Sequence, residues 1–211
     1  MGIVGVDKSM SLDGYITGPN PGPDNPLGDG GDCIFAWMMA EAASAPDTPP
    51  RDGRALSEEW DEQFTDVFAT TGAVIMGKRM FEIIDGPDGW VAPDGTAFPW
   101  PVFVLTHERR QPVTKGKTAF TFVNDGPASA LAQARAVAGE KNIGVAGGNV
   151  VQQFLAAGLV DEITIHLVPV FLGGGVRLFD GLGEGPKQLE CTNVQPGNGV
   201  THLSYQLVRN S

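Results

Sequence analysis

Cysteine is nearly absent from this chain: Cys33 and Cys191 are the two among 211 residues, far apart and without metal-ligand spacing around either. That excludes a disulfide-stapled scaffold, leads us to expect no bound metal, and suits a reducing, cytoplasmic setting. Positive charge is scarce as well, with 14 Lys and Arg against 25 Asp and Glu and a formal net charge of −11. Such a surface repels phosphate backbones and anionic bilayers, which argues against a nucleic-acid or membrane partner. Long apolar runs are missing too: no window approaches the about eighteen uninterrupted apolar residues of a membrane span. The opening MGIVGVDKSMSLDGYITG also lacks the basic stretch and apolar run of an export signal.

What is present is a globular composition, 42% hydrophobic with 29 glycines and 16 prolines, enough to build one core and read as one domain over 1–211. GIVGV at 2–6 reads as a buried strand, and 18–31 is so dense in Gly, Pro, Asn and Asp that it reads as a loop. Helices are expected over 34–45 and from Ser57 through Phe68, the latter with Trp60, Phe64, Val67 and Phe68 on one face. AVIMG (73–77) follows as a strand, then a short helix from Lys78 toward Gly86-Pro87 and a long loop carrying Trp90 and Trp100. Strands at 102–106 and 119–123, a helix at 127–138, a strand in NIGVAG, a helix at 150–157 and a long strand over 162–173 come next. The tail reads as a hairpin, 187–195 and 200–208 around PGNG. Strands alternating with helices predict an α/β layer fold with a mixed, mostly parallel central sheet and an antiparallel C-terminal hairpin.

In that architecture ligands collect beyond the carboxyl ends of strands, where glycine turns lead into helix starts. Two junctions qualify. In AVIMGKRMFE, Gly77 turns the chain while Lys78 and Arg79 put cations at a helix N-terminus, against the dipole, a cost that a bound phosphate would reverse. In NIGVAGGNVVQQFL, Gly147 and Gly148 stand between a buried strand and a helix, a pattern that serves either a tight turn or a phosphate site. Between them VFVLTHERR ends a strand in Thr106 and His107.

The ordered set SLDGYI (11–16), MGKRMFE (76–82), VLTH (104–107), VAGGNVVQQFL (145–155) and VPVFLGGGVRLF (168–179) resembles the dihydrofolate-reductase-like superfamily. More closely it is similar to the branch that includes the reductase domain of the riboflavin-pathway deaminase-reductase. The resemblance implies a three-layer α/β/α fold, NADPH bound in extended form, and hydride transfer to a small heterocyclic or conjugated acceptor. It implies that Gly77, Lys78, Arg79 and Met80 hold the phosphates and the 2′-phosphate side, with Thr106 and His107 at the adenosine end. Val145, Gly147, Gly148, Asn149 and Val150 would cradle the pyrophosphate, and Ser9 and Ile16 would touch the nicotinamide. Trp37, Trp90 and Pro169 would border the acceptor.

The pattern also departs from folate reduction. Aligning Trp37 with the tryptophan of the folate enzymes puts Ile34 where they carry a carboxylate, and Asp32 two residues earlier points elsewhere. Asp13 is the nearest candidate acid by motif, although an Asp-Gly pair equally serves as a turn. The leading expectation is therefore an NADPH-dependent reductase of a small molecule. A non-catalytic NADP(H)- or ligand-binding protein comes second, and the ribosylaminopyrimidine phosphate reductase of riboflavin synthesis third, for want of clustered cations outside the cofactor motifs. The terminal β segments and the apolar run 163–172 also suit pairing into a homodimer.

Overall fold

The computed structural model describes residues 2–38, 65–85, 89–91 and 97–208. In chain order the elements are β1 (Val4–Ser11), β2 (Tyr15–Thr17), a 3-10 helix (Gly31–Met38), β3 (Thr71–Gly77), α1 (Lys78–Ile83), β4 (Val102–Leu105), β5 (Val113–Lys115) and β6 (Thr118–Val123). They continue with α2 (Pro127–Ala138), β7 (Asn142–Ala146), α3 (Gly148–Ala156), β8 (Glu162–Val168), β9 (Val176–Arg177), β10 (Leu189–Gly197) and β11 (Val200–Leu207).

The main sheet has the order β10-β11-β8-β1-β7-β3-β4-β6-β5, and β2 pairs with β9 in a separate two-stranded sheet. From β8 through β6 every pairing is parallel. β11 runs antiparallel to both β8 and β10, and β5 antiparallel to β6. The expected mixed, mostly parallel α/β sheet with a C-terminal hairpin is what forms.

Alternation along the strands distributes the core. Val4, Val6, Ala73, Ile75, Ile143, Val145, Ile163 and Ile165 face α2 and α3, which return Leu131, Ala134, Val151 and Phe154 to the same cluster. Pro127 at the first position starts α2, and Ala130, Leu131, Ala134 and Ala138 form its buried stripe. The opposite face is covered unevenly. Over β3, β4 and β6 it carries Phe81 of α1 with Phe98 and Trp100, while over β8 it carries Ile34 and Trp37 of the 3-10 helix.

Several expectations need correction. The strand expected over 162–173 leaves the sheet after Val168, because Pro169 has no N–H for the ladder. The first strand extends to Ser11, since its polar residues 7, 9 and 11 all lie on one face. The helix expected from 34 starts at Gly31 as 3-10 turns, and its remainder, 39–45, lies outside the described residues. Of the helix expected from Ser57, only 65–70 is described and it is helical; Trp60 and Phe64 lie outside the described residues. α1 stops at Ile83, short of Gly86-Pro87, which also lies outside them.

After β8 the chain crosses to the β1–β2 turn and is tied there. Leu12 N donates to Val170 O at 2.9 Å, and the Asp13 carboxylate accepts from Leu172 N at 3.1 Å and Gly173 N at 2.7 Å. Ser11 Oγ adds a third donor to Asp13 at 2.6 Å. Gly175 then passes so close to β2 that a Cβ there would sit 2.0 Å from Thr17 O, at a φ of +121°. Bare backbone at Gly175 is a requirement of packing.

Two outcomes follow from these ties. Replacing Gly175 with Ala lowers stability by about 2 kcal/mol or more in urea unfolding, and an unchanged midpoint contradicts the close approach. The Ser11 hydrogen bond, opposed by burial and aided by the Gly173 and Leu172 amides, holds the Asp13 carboxyl down to about 2. A depressed folded value gives stability that is present above the ordinary 3.8 and lost as pH falls through about 2. Asp13→Asn therefore melts below the wild type at neutral pH, and the two melting temperatures converge as pH falls from 4 toward 2; a gap independent of pH contradicts the tether.

Candidate functional site

β3 and β7 are neighbours in register, Met76 opposite Ala146, so the turns that follow them lie side by side. Gly77 precedes α1 and Gly147, at φ +86°, precedes α3, and neither helix start receives a side-chain cap from the described residues. The turns interlock. A Cβ at Gly77 would meet Val150 Cγ2 at 3.1 Å, and one at Gly148 would meet Val176 Cγ1 at 2.7 Å and Ile16 Cδ1 at 3.2 Å. In front of Gly147 there is space among the described residues, none of whose atoms comes nearer than 3.9 Å to a Cβ built there, the nearest being Gly77 N. Uncapped amides beside an open glycine turn are the donor set that a pyrophosphate takes.

The side chains around these turns divide into those that face the opening and those with other work. Lys78 Nζ pairs with Glu108 and, at 3.5 Å, with Glu82. The Glu108 hydrogen bond raises the Lys78 ammonium and lowers the Glu108 carboxyl from their ordinary values, so both stay charged at neutral pH. Arg79 Nη2 donates to Pro21 O at 2.7 Å, which binds α1 to the 18–31 loop. Thr106 Oγ1 accepts from Glu108 N at 3.1 Å, and His107 is exposed. Val145 and Val150 are buried in the main core, so their backbone alone is available to a ligand. Asn149 is exposed and its Oδ1 accepts from Gln153 Nε2 at 2.6 Å, while Met80 packs beside the aromatic cluster.

At the other end, Ile16 is buried against Gly148, and Ser9 is buried with its Oγ accepting from Trp37 Nε1 at 3.0 Å. Pro169 is exposed three residues beyond His166. Trp90 is not with Trp37: it packs at 4.5 Å from Phe98 and 6.2 Å from Trp100, in the cluster over β4 and β6. Asp13 serves as the ionised tether described above, and an acid at about 2 holds no proton to donate at neutral pH.

Two groups escaped the sequence reading. Glu108 reaches Lys78 across thirty residues, a pairing no local pattern announces. Below Trp37 lies a buried cluster in which His166 Nδ1 is 2.6 Å from His202 Nδ1 and His166 Nε2 is 2.9 Å from Asp7 Oδ1. Its only local signal is the run of polar residues 7, 9 and 11 on one face of β1. Among the described residues no helix is long and apolar enough to cross a membrane, and no cluster of His, Cys, Asp or Glu fits a metal ion.

Known proteins share this architecture. A putative riboflavin biosynthesis protein from Shewanella sp. PV-4 superposes with a TM-score of 0.67 at 21% identity, over 98% of this chain and 99% of that one. The Thermotoga maritima diaminohydroxyphosphoribosylaminopyrimidine deaminase/5-amino-6-(5-phosphoribosylamino)uracil reductase gives 0.61 at 12% identity, with 98% of this chain matching 57% of that longer one. In sequence, the uncharacterised Bacillus subtilis protein YwjB is 29% identical over 122 residues, spanning 57% of this chain and 66% of that protein. The family model of the RibD C-terminal domain runs over residues 3–203. A match of that extent, on a fold with these two junctions in place, makes the chain a member of the RibD C-terminal domain family.

Proposed function

We propose that this protein is an NADPH-dependent reductase that passes hydride to a small heterocyclic or conjugated acceptor. The observation that carries the reading is the adjacency of two uncapped helix starts, Gly77–Lys78 and Gly147–Gly148, with open space before the second. Membership of a reductase domain family favours catalysis over simple ligand sequestration.

The residue types at the two turns support such a cofactor. The first amides of α3 bind the pyrophosphate, to which the bare backbone at Gly147 gives close access. Lys78 meets the 2′-phosphate, exchanging its carboxylate partners for a phosphate of higher charge. Thr106 and His107 border the adenosine, and Ser9 and Ile16 border the nicotinamide. The bound dinucleotide supplies the hydride, and the chain's part is to orient it, shield it from water and present the acceptor beside Trp37.

The Lys78–Glu108 pair makes the preference between the two nicotinamide cofactors adjustable. Glu108 competes with a 2′-phosphate for Lys78, and NADH carries no such phosphate. A charge-assisted contact is worth about 1.5–3 kcal/mol, or roughly tenfold and more in affinity. In fluorescence titrations, Lys78→Ala therefore weakens NADPH about tenfold relative to NADH, and Glu108→Gln strengthens NADPH relative to NADH. A ratio of the two affinities untouched by either substitution contradicts this assignment.

A further inference from the structure

Strand alternation places Gly5, Asp7 and Ser9 on the sheet face opposite α2 and α3, because Val4 and Val6 point into the α2–α3 core. Gly144 of β7 lies directly beside Gly5 in register and, by the same alternation, opens to the same face. Among the described residues, a Cβ built at Gly5 meets no atom within 4 Å, and one at Gly144 meets only Val74 Cγ2, at 3.6 Å. The two central strands thus carry a bare strip where side chains would ordinarily stand. Glycine inside a strand weakens it and marks a bulge, a tight bend or a place where a ligand or another backbone comes close; β1 and β7 pair in unbroken register at Gly5 and Gly144.

Asp7 stands at the edge of that strip. Its side chain is 56% exposed although it belongs to a central strand, while His166 behind it is 2% exposed. With the ring proton on His166 Nε2 donated to Asp7 Oδ1, His166 Nδ1 is left to accept from His202 Nδ1–H. Trp37 closes over both rings, its centroid 4.7 Å from His166 and 5.2 Å from His202. The histidines therefore fix one carboxylate oxygen, and the other has no hydrogen-bond partner among the described residues. Lys8, the adjacent cation, points to the other face by alternation. Protein crowding around the strand centre raises the Asp7 carboxyl, but the His166 hydrogen bond, together with nearby positive charge that includes Lys8, outweighs it, and the group stays below the ordinary carboxylate value.

Fixed from behind and open in front, such a carboxylate recognises N–H donors. We propose that Asp7, over the bare Gly5–Gly144 strip, is the recognition group of a ligand site for a flat, nitrogen-rich heterocycle or amidine-like cation. The site disfavours a phosphate or carboxylate group at that end. Asp7 precedes Ser9 by two residues, about 7 Å along the strand, so under the reductase reading, on which this placement rests, the ligand is the hydride acceptor.

Three probes of one shape separate charge from stacking: benzamidine, benzamide and benzoate, titrated into the full chain and followed by amide and indole NMR shifts. Benzamidine is expected to bind at least tenfold more tightly than benzamide, with benzoate weakest, and to shift Gly5, Gly144, Ser9 and the Trp37 indole N–H. Asp7→Asn is expected to erase the difference between benzamidine and benzamide, and Asp180→Asn to leave it intact. Equal affinities, an order that survives Asp7→Asn, or shifts elsewhere would overturn the site. Should Asp7→Asn not fold, the shift map of the wild type decides alone. A parallel NADPH titration separates the two ideas: cofactor binding without these shifts sinks the Asp7 site only, and these shifts without cofactor binding sink the reductase reading only.

Discussion

Two chain turns must occupy neighbouring positions at the carboxyl ends of two central strands, and the molecule is built around that constraint. The parallel pairing of β3 with β7 brings Gly77 and Gly147 together. Their helices then leave toward opposite faces, α1 with the aromatic cluster and α3 with the main core. The turns lock through small atoms, Val150 filling the place of a Gly77 side chain and Val176 with Ile16 that of a Gly148 side chain. Helix amides stay uncapped as a result, and cations gather where a helix dipole alone would not put them. A bound anion would offset both departures.

The sheet's second face follows the same economy of small residues. α1 and the aromatic cluster cover one end, the 3-10 helix covers another, and the Gly5–Gly144 strip lies between them. Asp13 and the Gly173–Gly175 turn fasten the β8 extension across the β1–β2 corner. The segment carrying Ile16 is thereby set against the start of α3. A dinucleotide at the turns and an acceptor over the strip would meet near Ser9.

Local signals announced local structure. The Gly77 and Gly147 turns, the helix begun by Pro127 and the PGNG hairpin were all legible in the sequence, because each is decided within a few residues by chain geometry and alternation. What stayed hidden depends on distant pairing. Apolar residues run through Pro169 without a break, so periodicity carried the β8 strand too far; a missing N–H ends it. Asp13 reads as a turn residue until Leu172 and Gly173 arrive from 160 positions away. Trp90 and Trp37 are alike in the sequence, yet one packs against Phe98 and the other against His166. Lys78 and Arg79 read as a matched pair of phosphate ligands, whereas Arg79 reaches a carbonyl of the 18–31 loop.

Backbone amides at the paired turns are the heart of the account, and they can be watched directly. In an NMR titration with NADPH, the amides of Gly77 to Arg79 and Gly148 to Val150 should move first and together, saturating at one cofactor per chain. If they stay still at a concentration of NADPH that saturates a typical reductase, the turns are packing devices and the cofactor site is not there.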